Sequence, residues 1–183
     1  MDLKEYWSTF AQTAGRVWGT FHAGPNYLLE HLDQLYDGYL KTRRLPTIMD
    51  LYDSILNANE RTRTRTEYYD VIYNRMHALV STLGASFQHR VGFPLEELLK
   101  RPVCLELHQL KPDEQNWVVE VILMWIYHYR LAQRHRGEEL RHAIILDECH
   151  RWFYGGKEYS ETTHEMGMPP IDTYPTQFRD FGE

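Results

Sequence analysis

Residues 102–107 read PVCLEL, residues 113–133 read DEQNWVVEVILMWIYHYRLAQ, and residues 142–148 read HAIILDE. The order of these three stretches decides the fold class. The first is short, β-favouring and bounded by Pro102, which predicts a strand. Pro112-Asp113 opens a helix that runs to about Gln133, and its middle is apolar nearly all round, which predicts burial. The third stretch is apolar and stops abruptly at Asp147-Glu148, which predicts a second strand. Strand, long helix, strand is a βαβ unit, whose strands pair in parallel with a right-handed crossover. The expected fold is therefore α/β and helix-rich, with a helical subdomain over residues 1–92 beside a partial parallel sheet over residues 93–183.

Upstream of this unit the periodicity is helical. Asp2 to Val17 predicts a first helix, stopped near Gly19. Pro25 sits where a second helix would begin, and Leu28, Leu32, Leu35, Tyr36, Tyr39 and Leu40 follow on one face. Pro46 opens a short helix marked by Ile48, Leu51, Tyr52 and Ile55. A longer helix carries Tyr69, Ile72, Met76, Leu79, Val80 and Leu83, with Gly84 as its expected C-cap. The alternation RTRTRT at 61–66 has no apolar face and reads as the solvated start of that helix. Residues 94–100 (PLEELLK) predict a turn or two of helix. Beyond Phe153 the chain is polar and rich in Gly and Pro, with a short helix expected from about Tyr174 to Phe181.

The composition is that of a globular protein: 43% hydrophobic, 25% charged, with thirteen Tyr and five Trp among 183 residues. A formal net charge of -6 argues against coating nucleic acid by bulk charge. The two cysteines, Cys104 and Cys149, are too few for a disulfide framework and fit a reducing compartment. The longest apolar run, Val121 to Tyr127, is far short of the roughly 20 residues of a membrane span. The N-terminus has neither a basic nor an apolar leader region. These features predict a cytoplasmic protein.

The acids carry the chemistry. Ligands of parallel α/β sheets bind at the carboxyl ends of strands, and neighbouring residues there point to different sides. Asp147 can thus hold Mg²⁺ on a nucleotide through water, while Glu148 orients or deprotonates the attacking water. The plainer reading is an acidic first turn of a following helix, favoured by the helix dipole alone.

AIILDECHRWF (143–153) resembles the Walker B segment of HerA/FtsK-type P-loop ATPases. RPVCLELHQLKPDEQNWVVEVILMWIYHY (101–129) is similar to the strand and long buried helix that precede it in that family, and ASFQHRVGFPLEELLKRP (85–102) to the stretch leading in. The helices from Asp2 to Gly84 look like the family's helical insertion. QFRDFG (177–182) is similar to the stretch before its next core strand. The resemblance implies a RecA-like P-loop ATPase core, with Glu148 catalytic and Asp147 on the metal. It also implies ATP and Mg²⁺ as cofactors of the complete protein, a homo-oligomeric ring, and DNA as a substrate to be translocated or processed.

The 183 residues contain no G-x-x-x-x-G-K-[ST]. The nearest approach, Gly155-Gly156-Lys157, follows the acids and is succeeded by Glu158. Family members place the loop before the helical insertion, which here would lie upstream of Met1. Without its backbone N–H groups and Lys the β- and γ-phosphates have no cradle. The expectation is an internal piece of an ATPase, inactive alone. The alternative is a non-catalytic helical interaction module or a degenerate subunit. DECH (147–150) also matches the DExH box of superfamily 2 helicases, where the His, here His150, couples nucleotide to nucleic acid. Among the remaining residues, Glu106 either faces a nucleotide edge or reaches solvent. Arg61, Arg63 and Arg65 either touch DNA phosphate or solvate a helix start. Arg179 is a candidate trans-acting arginine finger. Ten His residues invite a zinc site, but no H-E-x-x-H occurs and the Cys are far apart. His128 and His135 lie on or near a charged helix end, with no special role expected.

Overall fold

The computed structural model describes residues 3–20, 23–58, 63–92, 94–133, 140–147 and 178. Its elements are α1 (Leu3–Val17), α2 (Ala23–Thr42), α3 (Ile48–Leu56), α4 (Arg63–Leu83), a 3₁₀ turn (Gly84–Gln88), α5 (Leu95–Leu99) and α6 (Pro112–Gln133). The chain divides into two compact units. The first comprises Asp2–Phe93 and His108–Glu114, and the second comprises Pro94–Leu107 and Gln115–Glu183.

In the first unit, α1 packs on α2, α2 on α3 and α4, and α3 on α4. Two helix ends have a clear local cause. α1 ends in a Schellman motif: Gly19 takes φ +66°, the Thr20 N–H donates to Gly15 O at 2.9 Å, and the Gly19 N–H donates to Arg16 O at 3.0 Å. α3 begins with a capping box. The Asp50 N–H donates to Thr47 Oγ1 at 3.1 Å, and the Thr47 N–H donates back to Asp50 Oδ2 at 2.7 Å. α1 and α2 approach closely at Gly15, where an added Cβ would lie 2.3 Å from Pro25 Cγ. The core of this unit is built from Phe10, Leu28, Leu51, Ile55, Ile72, Met76 and Leu79, all buried. His31 is buried with them; its Nδ1 lies 2.8 Å from Ser54 Oγ, and its ring meets Tyr27 edge-on. α4 does not end in the left-handed glycine cap expected at Gly84. That residue lacks a positive φ, and the chain tightens into the 3₁₀ turn instead.

The second unit contains α5 and most of α6. α6 is buried at Trp117, Val119, Val121, Leu123, Met124 and Ile126, as its all-round apolarity requires. Trp125 remains 46% exposed.

The partial parallel sheet is overturned. Helices account for 73% of the described residues, and no strand or bridge occurs among them. Residues 102–107 and 142–146, read as strands from their composition, lie outside any regular element. A helix closes its hydrogen bonds within itself, whereas a strand exists only through the ladder it makes with a neighbour. Neither stretch finds that neighbour among the described residues. The α/β assignment and its RecA-like core fall with it.

Candidate functional site

Asp147 stands in a turn at the end of residues 140–146 and is exposed. The segment leading to it has a regular exposure pattern. Arg141, Ala143, Ile145 and Asp147 are exposed, while His142, Ile144 and Leu146 are half-buried. A period of two is the signature of extended backbone, in which successive side chains point to opposite sides. The segment's apolar content is not buried as a central strand's would be: Ile145 is 90% exposed. Glu148, His150 and Arg179 lie outside the described residues, as do the Gly155-Gly156-Lys157 stretch, Arg61 and, apart from the helical, buried Phe178, the helix expected from Tyr174.

The other sequence candidates separate. Glu106 is exposed in an irregular stretch, with Val103 46% and Leu105 51% exposed beside it. This places it at solvent and not at a sheet edge. Arg63 and Arg65 fall in the first turn of α4. His128, expected on or near a charged helix end, is buried on α6, as is Glu120. Among the described residues no group of three or more His, Cys, Asp or Glu is placed to hold a metal ion.

Two polar constellations in the first unit escaped the sequence reading. Asp50 accepts from Thr47 and also receives Arg90 in a two-pronged pair, Nη1 to Oδ2 at 2.9 Å and Nη2 to Oδ1 at 3.1 Å. Arg90 Nη1 also donates to Leu45 O. Partial burial pushes the Asp50 carboxyl up, but the Arg90 and Thr47 hydrogen bonds more than offset this and hold it below its ordinary value. The second is an aromatic ladder on α4. Tyr69 stacks on Tyr73 and Tyr73 on His77, each at 5.6 Å, and Tyr52 of α3 lies 6.0 Å from Tyr73. Tyr52 Oη sits 2.9 Å from His77 Nδ1. Burial, followed by the hydrogen bond to Tyr73, pushes the Tyr52 hydroxyl up to about 12. The spacing 69, 73, 77 was the available signal, since i and i+4 residues share a helix face. Nothing in a single sequence, however, places Tyr52 against them.

No family model matches the chain, and no curated protein or solved structure is similar to it. Among the described residues no helix is long and apolar enough to cross a membrane.

Proposed function

We propose that the chain supplies the acidic half of an ATP-hydrolysing site, in a protein that translocates or processes DNA in the manner of HerA/FtsK-type ATPases. The observation that supports this reading is Asp147, exposed in a turn that closes an apolar segment of strand-like alternation. A carboxylate held at such a point is accessible to a hydrated Mg²⁺ without burial of an unpaired charge. In this reading Asp147 faces the metal through water, Glu148 orients the attacking water, and phosphate-binding groups come from polypeptide other than these 183 residues. The working form is a cytoplasmic homo-oligomeric ring around DNA. The fold of the nucleotide core is no part of the proposal.

The test is phosphate release in the presence of Mg²⁺. The purified chain is expected to give none. A complex of the chain with a polypeptide bearing G-x-x-x-x-G-K-[ST] is expected to turn over ATP, and Glu148→Gln is expected to abolish that turnover. Turnover that survives Glu148→Gln in the complex removes these acids from the chemistry.

A second reading has its own support. The first unit, with its capped α3 and its core of Leu28, Leu51, Ile55, Ile72, Met76 and Leu79, is a helical body held by apolar packing. A non-catalytic interaction module would look like this. It predicts that loop-bearing polypeptides leave the chain inert toward ATP.

A further inference from the structure

We infer that Lys41, Arg43 and Arg44, at the carboxyl end of α2, form a contact surface for the phosphodiester backbone of DNA. The choice of DNA as the polyanion rests on the function proposed above; the surface itself rests on charge and geometry in the first unit. No Asp or Glu occurs from Gly38 to Met49, nor from Val71 to Leu95. The two stretches meet where Arg90 Nη1 donates to Leu45 O. The acid that borders them, Asp50, is answered by Arg90 in the two-pronged pair. Lys41, Arg43 and Arg44 are all exposed. Among the described residues none of the three makes an ion pair, not even Lys41 with Asp37 one turn earlier, whereas Arg75 is taken by Asp113 and Arg90 by Asp50.

Cations at a helix carboxyl end are favoured by the dipole alone. Two features here go further. Arg43 holds φ +57°, and among the described residues it is the one non-glycine residue with a positive φ. Glycine would adopt that conformation without strain. Strain kept at an exposed position points to a use for the side chain. The segment is also pinned. The Arg43 N–H donates to Tyr39 O at 2.7 Å. The Thr42 hydroxyl donates to Gly38 O at 2.9 Å and accepts from the Arg44 N–H at 3.3 Å. The Arg43 guanidinium lies over the Tyr39 ring, 5.9 Å from its centroid. A guanidinium so placed keeps its N–H edge for a phosphate. Cations on a pinned backbone lose less freedom on binding than cations on a mobile tail.

Three cations on a chain of net charge -6 set the scale. They suit weak, salt-sensitive, sequence-independent contact with a duplex backbone. An anionic membrane shares the phosphate chemistry, but three cations fall short of the roughly four to eight of a lipid-binding basic cluster.

Fluorescence anisotropy of a labelled DNA duplex with the full chain, without nucleotide, is expected to give a Kd of about 1–100 μM near physiological salt. The logarithm of affinity should fall with the logarithm of salt concentration at a slope of about -2.7, roughly -0.9 for each of three phosphates. Lys41→Gln and Arg44→Gln are each expected to reduce that slope by about 1, and the triple Gln variant to abolish measurable binding. Lys100→Gln, far along the sequence and paired with Glu96 and Glu97, should leave it unchanged. Arg43→Gly separates the side chain from the backbone: it should raise the unfolding temperature and weaken DNA binding. Four outcomes overturn the inference: no binding at low salt; a triple variant that binds like the native chain; Arg43→Gly with undiminished binding; or phosphatidylserine vesicles bound in place of DNA. Because no ATP is present, failure here leaves the roles of Asp147 and Glu148 to their own test, and a chain inert toward ATP leaves the binding result standing.

Discussion

The helical body from α1 to α4 and the segment 141–147 are both strongly patterned, yet one is built into helices and the other lies outside any regular element. In α4, Ile72, Met76 and Leu79 recur at helical spacing and are all buried. In 141–147 the alternation is equally regular, but its large apolar residue Ile145 faces solvent. The difference is where the hydrogen bonds are made. An amphipathic helix satisfies its own backbone and then needs only a greasy surface to lie on. A strand needs another strand in register, so the same quality of pattern fixes less.

The sharpest way to break this comparison is to remove apolar side chains from each region. Met76→Ala, at a fully buried position, is expected to cost about 2–5 kcal/mol in urea unfolding of the dilute chain. Ile145→Ala should stay within about 0.5 kcal/mol, the range of surface changes. A large loss at Ile145 would show that the segment is buried against something in the monomer.

The second contrast lies inside the helical body, at the α1–α2 corner. Gly15→Ala would thrust a Cβ into the Pro25 ring, and overpacking of this kind costs roughly 1–3 kcal/mol. Gly19→Ala meets no neighbour, but it must hold φ +66°, at about 1–2 kcal/mol. Thermal unfolding of both variants checks the ranking. Equal tolerance of Gly15→Ala would mean that the corner opens readily.

The smallest expected effect is at Asp50. Arg90→Ala removes a pair about a third exposed, 30% and 31% for the two side chains, and should cost about 1 kcal/mol near neutral pH. The sign of its pH dependence follows from the lowered carboxyl. The stabilisation is complete above the unfolded value near 3.8 and is lost as pH falls through the lower folded value. The stability difference between native chain and Asp50→Asn should therefore be flat from neutral pH down to about 4 and shrink below it. A difference that grows on acidification would contradict the assignment.

Legibility followed the same physics. Gly19, Pro112 and the α6 run to Gln133 were readable because stops, starts and periodicity are local properties. The α3 cap was readable in principle from Thr47-Ile48-Met49-Asp50, though the start was placed at Pro46. The Arg90 clasp was not, because 40 residues separate it from Asp50. The strands were misread because PVCLEL and HAIIL satisfy every local criterion while the deciding one, a ladder partner, is not local. Of the site, Asp147 was placed at an exposed chain position, as its charge required. Its apolar lead-in was expected to be buried and is not. The burial of His128 follows from the apolar residues of α6 on either side of it.

The Arg90 clasp has a consequence in time as well as in free energy. The capping box joins residues three apart and can close as soon as α3 nucleates. Arg90 reaches the same carboxylate and Leu45 O only after α4 and the 3₁₀ turn have brought the chain back. Contacts that close a long loop tend to form late. A contact made late is absent from the rate-limiting ensemble, so it leaves the folding rate alone and slows unfolding. Arg90 then acts as a latch on the finished helical body, setting how long it stays closed and not how quickly it closes.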